Sequence, residues 1–300
     1  MVTAEKPALP GKLGQLGAVV EEALGRLLPP SSERPESVHR AMGYALTSPG
    51  KRLRPVLTLV VAEIFGLRQR RVLEIACAVE MVHASSLILD DLPCMDDAAL
   101  RRGRETTHRR FGESVALLAS FGLLNLAFAT VAERGQELKM RRYGTEDMVH
   151  HLAAAIGSGG LIGGQALDLE SRPEDLDLEL MEYIHSHKTG ALFLAAGELG
   201  AMAADARRRD LEVISRFAKN LGLAFQISDD LLDVLATSEE TGKDSGQDEE
   251  KATFVKLLGV EGAQALASEL LEFAVSSLDP LGRRADPLRQ IALFVRDRGR

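Results

Sequence analysis

The sequence predicts an all-α fold, one domain over residues 1–300 built from about ten helices. Apolar residues recur at helical spacing in nearly every long segment, and no run alternates between apolar and polar with turn residues at both ends. Breaks fall where Pro, Gly and charge cluster, at PPSSERPES, SRPEDLD, TSEETGKDSGQDEE and DPLGRRADP, and none is long enough for an interdomain linker.

The expected helices run, in order, over about 12–28, 36–47, 53–65, 70–91, 112–139, 145–169, 175–200, 209–236, 260–278 and 286–297. No strand is expected. The segment from Val115 to Ala132 has no charge over 18 residues, the lower length for crossing a bilayer. Ser120, Gly122, Asn125 and Thr130 dilute it, and no comparable second span is expected, so it reads as a core helix.

Bulk composition narrows the function. The 300 residues carry a net charge of −8, which argues against nucleic acid or an anionic membrane surface as the main partner. Two cysteines, Cys77 and Cys94, make no disulfide framework and fit a reducing compartment. The N-terminus lacks the charged start and apolar core of a signal peptide. A cytoplasmic location is the expectation.

Two aspartate clusters end apolar helices. The stretch LILDDLPCMDDAALRRGRETTH places Asp90, Asp91, Asp96 and Asp97 within eight positions, and FQISDDLLD places Asp229, Asp230 and Asp233. Asp229 and Asp233 are four apart and share a helix face. Pro93 cannot continue a regular helix, so a local bulge there would return Asp96 to Asp90. Oxygen-only carboxylate sites suit Mg²⁺, which keeps waters and shares substrate phosphates. A polyphosphate substrate is therefore expected.

The basic residues complement the acids. In GKRLRP, Lys51 and Arg54 are three apart and point the same way. Arg101 and Arg102 follow the first acid cluster, while HKTG and TGKD add Lys188 and Lys243. Arginine suits forked phosphate contacts and lysine a point-charge contact. Together they describe two anion sites, one reached through Mg²⁺ and one held directly. His83 lies about two turns before Asp90 on a similar face; a satisfied core histidine and a ligand contact fit that spacing equally well.

A competing metal chemistry is written in the same helices. Glu80-x-x-His83 and Glu182-x-x-His185 are two ExxH motifs, as in di-iron carboxylate bundles, which need two further glutamates. That reading leaves both aspartate clusters and the basic motifs without a role.

In order, GKRLRP, the first aspartate motif with its trailing RRG, GGQALDL at 163–169, HKTG, FQISDDLLD and GKDSGQDEEKATF make the chain similar to the trans-isoprenyl diphosphate synthases. The first motif has the DDxxxxD form of bacterial and plant farnesyl and geranylgeranyl synthases. The resemblance implies a helical bundle around a deep apolar cavity, a homodimer, and the joining of isopentenyl diphosphate to an allylic diphosphate.

By the same resemblance, Asp90, Asp96 and Asp229 hold Mg²⁺, three ions with substrate bound, with Asp91, Asp230 and Asp233 in support. Arg101, Lys188, Thr189, Gln226 and Lys243 contact the allylic diphosphate, and Lys51, Arg54, His83 and Arg102 the isopentenyl diphosphate. Asp90, Asp96, Asp229, Lys188 and Arg101 carry the catalysis.

Two positions depart from the family pattern: Glu105 stands where many relatives have Pro, and Ser120-Phe121 where many have Gly-Asp.

Product length is expected to depend on the helix below Asp90. Ser86 and Ser85 lie four and five residues back, about 6–7.5 Å along it. Two serines would let the tail pass to the level of Met81 and Val82, favouring a C20 product, geranylgeranyl diphosphate, over C15. A terpene cyclase fits less well, because cyclases guide cations with aromatic faces and the chain has no Trp and three Tyr. A non-catalytic partner subunit is the remaining alternative, although this chain keeps both acid clusters.

Overall fold

The computed structural model describes residues 9–172, 177–235 and 253–298. It is helical almost throughout: α1 (Gly11–Leu27), α2 (Glu36–Leu46), α3 (Leu53–Ile64), α4 (Leu73–Asp90), α5 (Thr107–Phe111), α6 (Glu113–Glu137), α7 (Thr145–Ile156), α8 (Leu161–Glu170), α9 (Leu178–His185), α10 (Ala191–Ala203), α11 (Arg208–Leu235), α12 (Phe254–Ser277) and α13 (Asp286–Arg298).

α4 is the central post. It is buried without a break from Ile75 to Val82, with α1, α2, α3, α6 and α10 packed around it. A helix enclosed this way has no use for a polar stripe, which is why its apolar residues run around the whole circumference. A large apolar cluster joins α4 to its neighbours, and a smaller one gathers Met181, Ile227, Leu231 and Phe254 from α9, α11 and α12.

Four local expectations change. A two-stranded hairpin, β1 (Leu100–Arg101) with β2 (Arg104–Glu105), stands where no strand was expected. Two residues per strand are too few to show alternation. The turn was the usable signal, since Arg102 (φ 54°) and Gly103 (φ 74°) are both left-handed, as a two-residue hairpin requires.

The helix expected over 145–169 breaks between Ile156 and Leu161, at Gly157-Ser-Gly-Gly160. The helix expected over 175–200 widens into a π turn at Ser186–Gly190. α12 starts earlier than expected and kinks at Gly259 (φ 73°).

The expectation of one long apolar span also needs correction. Two stretches are long and apolar enough by composition, Glu113–Glu137 and Thr145–Glu170. The second is the α7–α8 pair, and the first packs against α2, α4 and α7. α6 leaves Leu118 and Phe121 outward, at 56% and 65% exposure.

Candidate active site

The end of α4 builds the first half of the site. Asp91 closes the helix, and the chain turns back so that the Asp96 amide donates to the Asp90 carbonyl at 2.9 Å. The bulge expected at Pro93 is present. Burial pushes the Asp90 carboxyl up to about 6 against the pull of Lys188 and Arg101, and neighbouring Asp96 and Asp91 push the same way.

Asp91 is separate. It is 3% exposed and accepts from the Arg101 Nε at 2.7 Å, so this carboxylate ties the end of α4 to the hairpin. Arg102, turned by its left-handed backbone, donates to the Pro49 carbonyl at 2.7 Å and ties the hairpin to the GKRLRP loop.

α11 carries the second half. Asp230 accepts from Gln226 Nε2 at 2.9 Å and from the Phe254 amide at 3.0 Å. It pins α12, as Asp91 pins the hairpin. Burial raises it to about 6, against those two hydrogen bonds. Asp229 is partly exposed, and Arg298 Nη2 from α13 donates to its Oδ1 at 2.5 Å.

The π turn joins the two halves. Lys188 Nζ reaches Asp168 on α8 at 2.5 Å and also feels Asp90 and Asp96; these acids raise it despite burial. Its neighbour Thr189 donates to Gln226 Oε1 at 2.8 Å, and Gln226 in turn donates to Asp230. Gly164 makes the approach possible: a Cβ there would stand 2.2 Å from the Lys188 amide nitrogen. Arg54 and Arg102 both feel Asp229, which brings the basic loop within electrostatic reach of the second acid cluster.

A second cationic group lies behind the acids. Arg54 stacks 4.5 Å from the Phe193 centroid, and Lys51 Nζ sits 5.3 Å from that of Phe294. Burial lowers Arg54 to about 10, partly offset by Glu80 and Asp229. His83 is held well below its ordinary value by burial and by Arg54, Arg102, Arg101 and Arg52, so it is neutral at pH 7.

Among the described residues no three carboxylate, imidazole or thiolate groups converge on one point. Mg²⁺ takes one or two carboxylates and completes its shell with water and substrate phosphate. Asp90 with Asp96, and Asp229 with Asp233, suit such half-sites. Asp91 and Asp230 are buried and hydrogen-bonded to Arg101, Gln226 and the Phe254 amide, so in this structure they also hold the hairpin and α12 in place.

The di-iron alternative finds two of its ExxH residues engaged elsewhere. Glu80 is neutralised by Arg52 at 2.7 Å, both nearly fully buried, and His185 packs on the Phe254 ring 5.3 Å away.

The chain-length position also differs in detail. Ser85 is buried in the α4–α6 seam, donating to the Ser120 carbonyl at 3.0 Å, and Met81 and Val82 are enclosed. Ser86 bonds back to the His83 carbonyl and stays partly open. Lys243 lies outside the described residues.

The motifs left four contributors without a role: Arg52, Asp168, Ser120 and Arg298. Arg52 and Asp168 lie within GKRLRP and GGQALDL, and Ser120 is one of the departures from the family pattern, whereas Arg298 falls in no motif.

Residues 35–277 match the family model described as polyprenyl synthetase. A protein named geranylgeranyl pyrophosphate synthase 4, from Arabidopsis thaliana, is 40% identical over 98% of this chain and 78% of its own. A dimethylallyltranstransferase from Fischerella ambigua is 41% identical, covering 96% of this chain and 83% of its own.

Among solved structures, an FPP/GFPP synthase from Zymomonas mobilis superposes with a TM-score of 0.82 at 33% identity, over 94% of this chain and 96% of that one. A geranyltransferase from Helicobacter pylori, complexed with magnesium and isoprenyl diphosphate, gives 0.81 at 31%, over 96% and 97%.

Proposed function

Because the chain belongs to the polyprenyl synthetase family, we propose that it condenses isopentenyl diphosphate with an allylic diphosphate to make geranylgeranyl diphosphate. One observation carries this reading. Lys188 senses Asp90 and Asp96 while adjacent Thr189 is wired through Gln226 to Asp230, so one turn spans both acid clusters.

Mg²⁺ held by Asp90, Asp96 and Asp229 would stabilise the charge that grows on the departing diphosphate. Lys188 and Arg101 add fixed positive charge beside it, and Thr189 and Gln226 orient the ester oxygens. The allylic carbon–oxygen bond breaks with its electron pair going to the diphosphate. The double bond of isopentenyl diphosphate then forms the new carbon–carbon bond, and a proton leaves to restore the alkene.

Lys51, Arg54 and Arg102 bind the isopentenyl diphosphate and set its line of attack. Neutral His83 offers a hydrogen bond there without a competing charge. No side-chain nucleophile is required, and the released diphosphate is a suitable base.

Relatives at about 40% identity named geranylgeranyl pyrophosphate synthases support the C20 product. The outward apolar stripe of α6 supports a homodimer, in which a second copy covers Leu118 and Phe121. A cytoplasmic location belongs to the same proposal, on the two-cysteine composition.

The test is product chromatography with C5, C10 and C15 primers, with Mg²⁺ and with EDTA. C20 from all three, lost with EDTA, is expected. Arrest at C15 would reassign the product, and no elongation by the purified chain would favour a non-catalytic partner subunit.

A further inference from the structure

Tyr44 on α2 holds a part of the site that cannot hold itself. The β1–β2 hairpin presents Arg101 and Arg102 on two residue pairs, Leu100 with Glu105 and Arg101 with Arg104. A hairpin by itself is marginal in water at best. This one is not packed flat on the bundle either, because about 40 Å³ of free space lies among Tyr44, Ser48, Asp91, Arg101 and Arg104. A few discrete contacts therefore decide where the two arginines stand.

Two of those contacts use the arginines themselves. Asp91 accepts from Arg101, and the Pro49 carbonyl accepts from Arg102. A diphosphate would compete for the same donors. Thr106 ties the two ends of the hairpin to each other through the Ala98 and Ala99 carbonyls, and not to the bundle. Tyr44 anchors the hairpin to α2 without using either cation. Its hydroxyl donates to the Glu105 carbonyl at 2.8 Å, and its ring centroid lies 4.1 Å from the Arg104 guanidinium carbon.

The same ring takes Arg110 of α5, with its guanidinium carbon 4.7 Å from the centroid, and meets the Phe111 ring edge-on at 5.5 Å. Tyr44 thus grips the chain on both sides of Thr106, at β2 and at α5. Two like charges share one ring because its π electrons attract both. Directly opposed residues of an antiparallel pair lie on one face, so fixing Arg104 fixes Arg101 across from it. The departure at Glu105 is harmless to this anchor, since the hydroxyl bonds the backbone carbonyl, which Pro would also offer.

We propose that Tyr44 is a positioning residue for both diphosphates, holding the hairpin so that Arg101 meets the allylic diphosphate and Arg102 the isopentenyl diphosphate. This rests on reading the cleft as a two-diphosphate site. Tyr44 touches neither substrate, and its effect runs through the two arginines.

The experiment uses the full chain as wild type, Tyr44→Phe, Tyr44→Leu, Arg102→Gln and the double variant Tyr44→Leu/Arg102→Gln. Isopentenyl diphosphate binding is measured calorimetrically with Mg²⁺ and no allylic primer, so that no turnover occurs. The KM for the allylic primer and kcat come from steady-state elongation. Tyr44→Phe keeps the ring and loses the hydroxyl, and should weaken isopentenyl diphosphate and raise the allylic KM by roughly two- to tenfold, the range of one neutral hydrogen bond. Tyr44→Leu should do more on both measures, with kcat falling less than KM rises. In the Arg102→Gln background, Tyr44→Leu should have little further effect on isopentenyl diphosphate, because residues that act through one another are not additive.

Wild-type affinity and wild-type allylic KM in a folded Tyr44→Leu overturn the proposal, as does a fully additive double variant. A Tyr44 that only supported the fold would lower the melting temperature and the active fraction and leave both constants unchanged. If Tyr44→Leu does not fold, Tyr44→Phe decides by weakened binding, or overturns the proposal by wild-type binding. Failure of the wild type to elongate any primer would sink the functional reading instead, and the calorimetric comparison would stand apart from it.

Discussion

The hydroxyls of Ser85 and Ser120 stand 2.8 Å apart across the α4–α6 seam, and each also donates to the other's carbonyl, at 3.0 and 3.1 Å. The product-length position and the departure at Ser120 are therefore one feature. Side chains this small let α4 and α6 approach closely just below Asp90. In Ser85→Phe the ring has no room within the seam and is forced toward the side on which Ser86 is open. The expected outcome is a product one or more C5 units shorter by chromatography. An unchanged product length would mean that growth does not pass this level.

Arg52 and Glu80 tie the basic loop to the central helix. Arg52 is left-handed (φ 52°) at the start of α3 and also donates to the Ser48 carbonyl at 2.5 Å. Glu80→Ala strands a buried guanidinium and is expected to cost about 3–5 kcal/mol, read by urea denaturation. The milder Glu80→Gln should fold, with KM for isopentenyl diphosphate rising more than kcat falls, because Lys51 and Arg54 flank Arg52.

Gly164 tests the wiring between α8 and the π turn. In Gly164→Ala a methyl group must displace the Lys188 backbone, and the Lys188–Asp168 pair with it. At least a tenfold fall in kcat is expected, since about 1 Å of misplacement can cost that much or more. Wild-type kcat with an intact fold would show that the turn adapts freely.

His185 gives a pH signature. Burial holds it at about 4 in the folded chain, below its ordinary 6.5. At pH 7 both states are neutral and stability is unaffected. As pH falls from 6.5 toward 4, the unfolded chain takes up the proton and the folded chain does not, so stability is lost across that window, by up to about 3 kcal/mol. His185→Phe should flatten this part of a Tm-against-pH curve. A slope equal to wild type would assign the loss to other groups.

Phe121 tests the outer face of α6. Phe121→Asp is expected to leave the helical content intact and shift the sedimentation coefficient from dimer to monomer, since a charge facing its symmetry mate cannot be buried in an apolar contact. A monomeric wild type would remove the dimer from the proposal.

Legible in the chain alone were the all-α class, most of the helical residues though not the breaks at 157–160 and 186–190, both aspartate clusters, and the return of Asp96 to Asp90 through the break at Pro93. Those features are local: helical periodicity, turn residues and i,i+4 spacing act over one or two turns of chain. Which partner each acid meets is settled by packing. Asp91 and Asp230 look the same as Asp90 and Asp229 in the sequence, but Arg101 engages Asp91, and Gln226 with the Phe254 amide engages Asp230. The same holds for Arg298, 69 residues from Asp229 along the chain, and for Arg52, whose charge is spent on Glu80. Partners so far apart meet only when helices dock, and in a buried cleft the nearest counter-charge settles what each side chain is free to do.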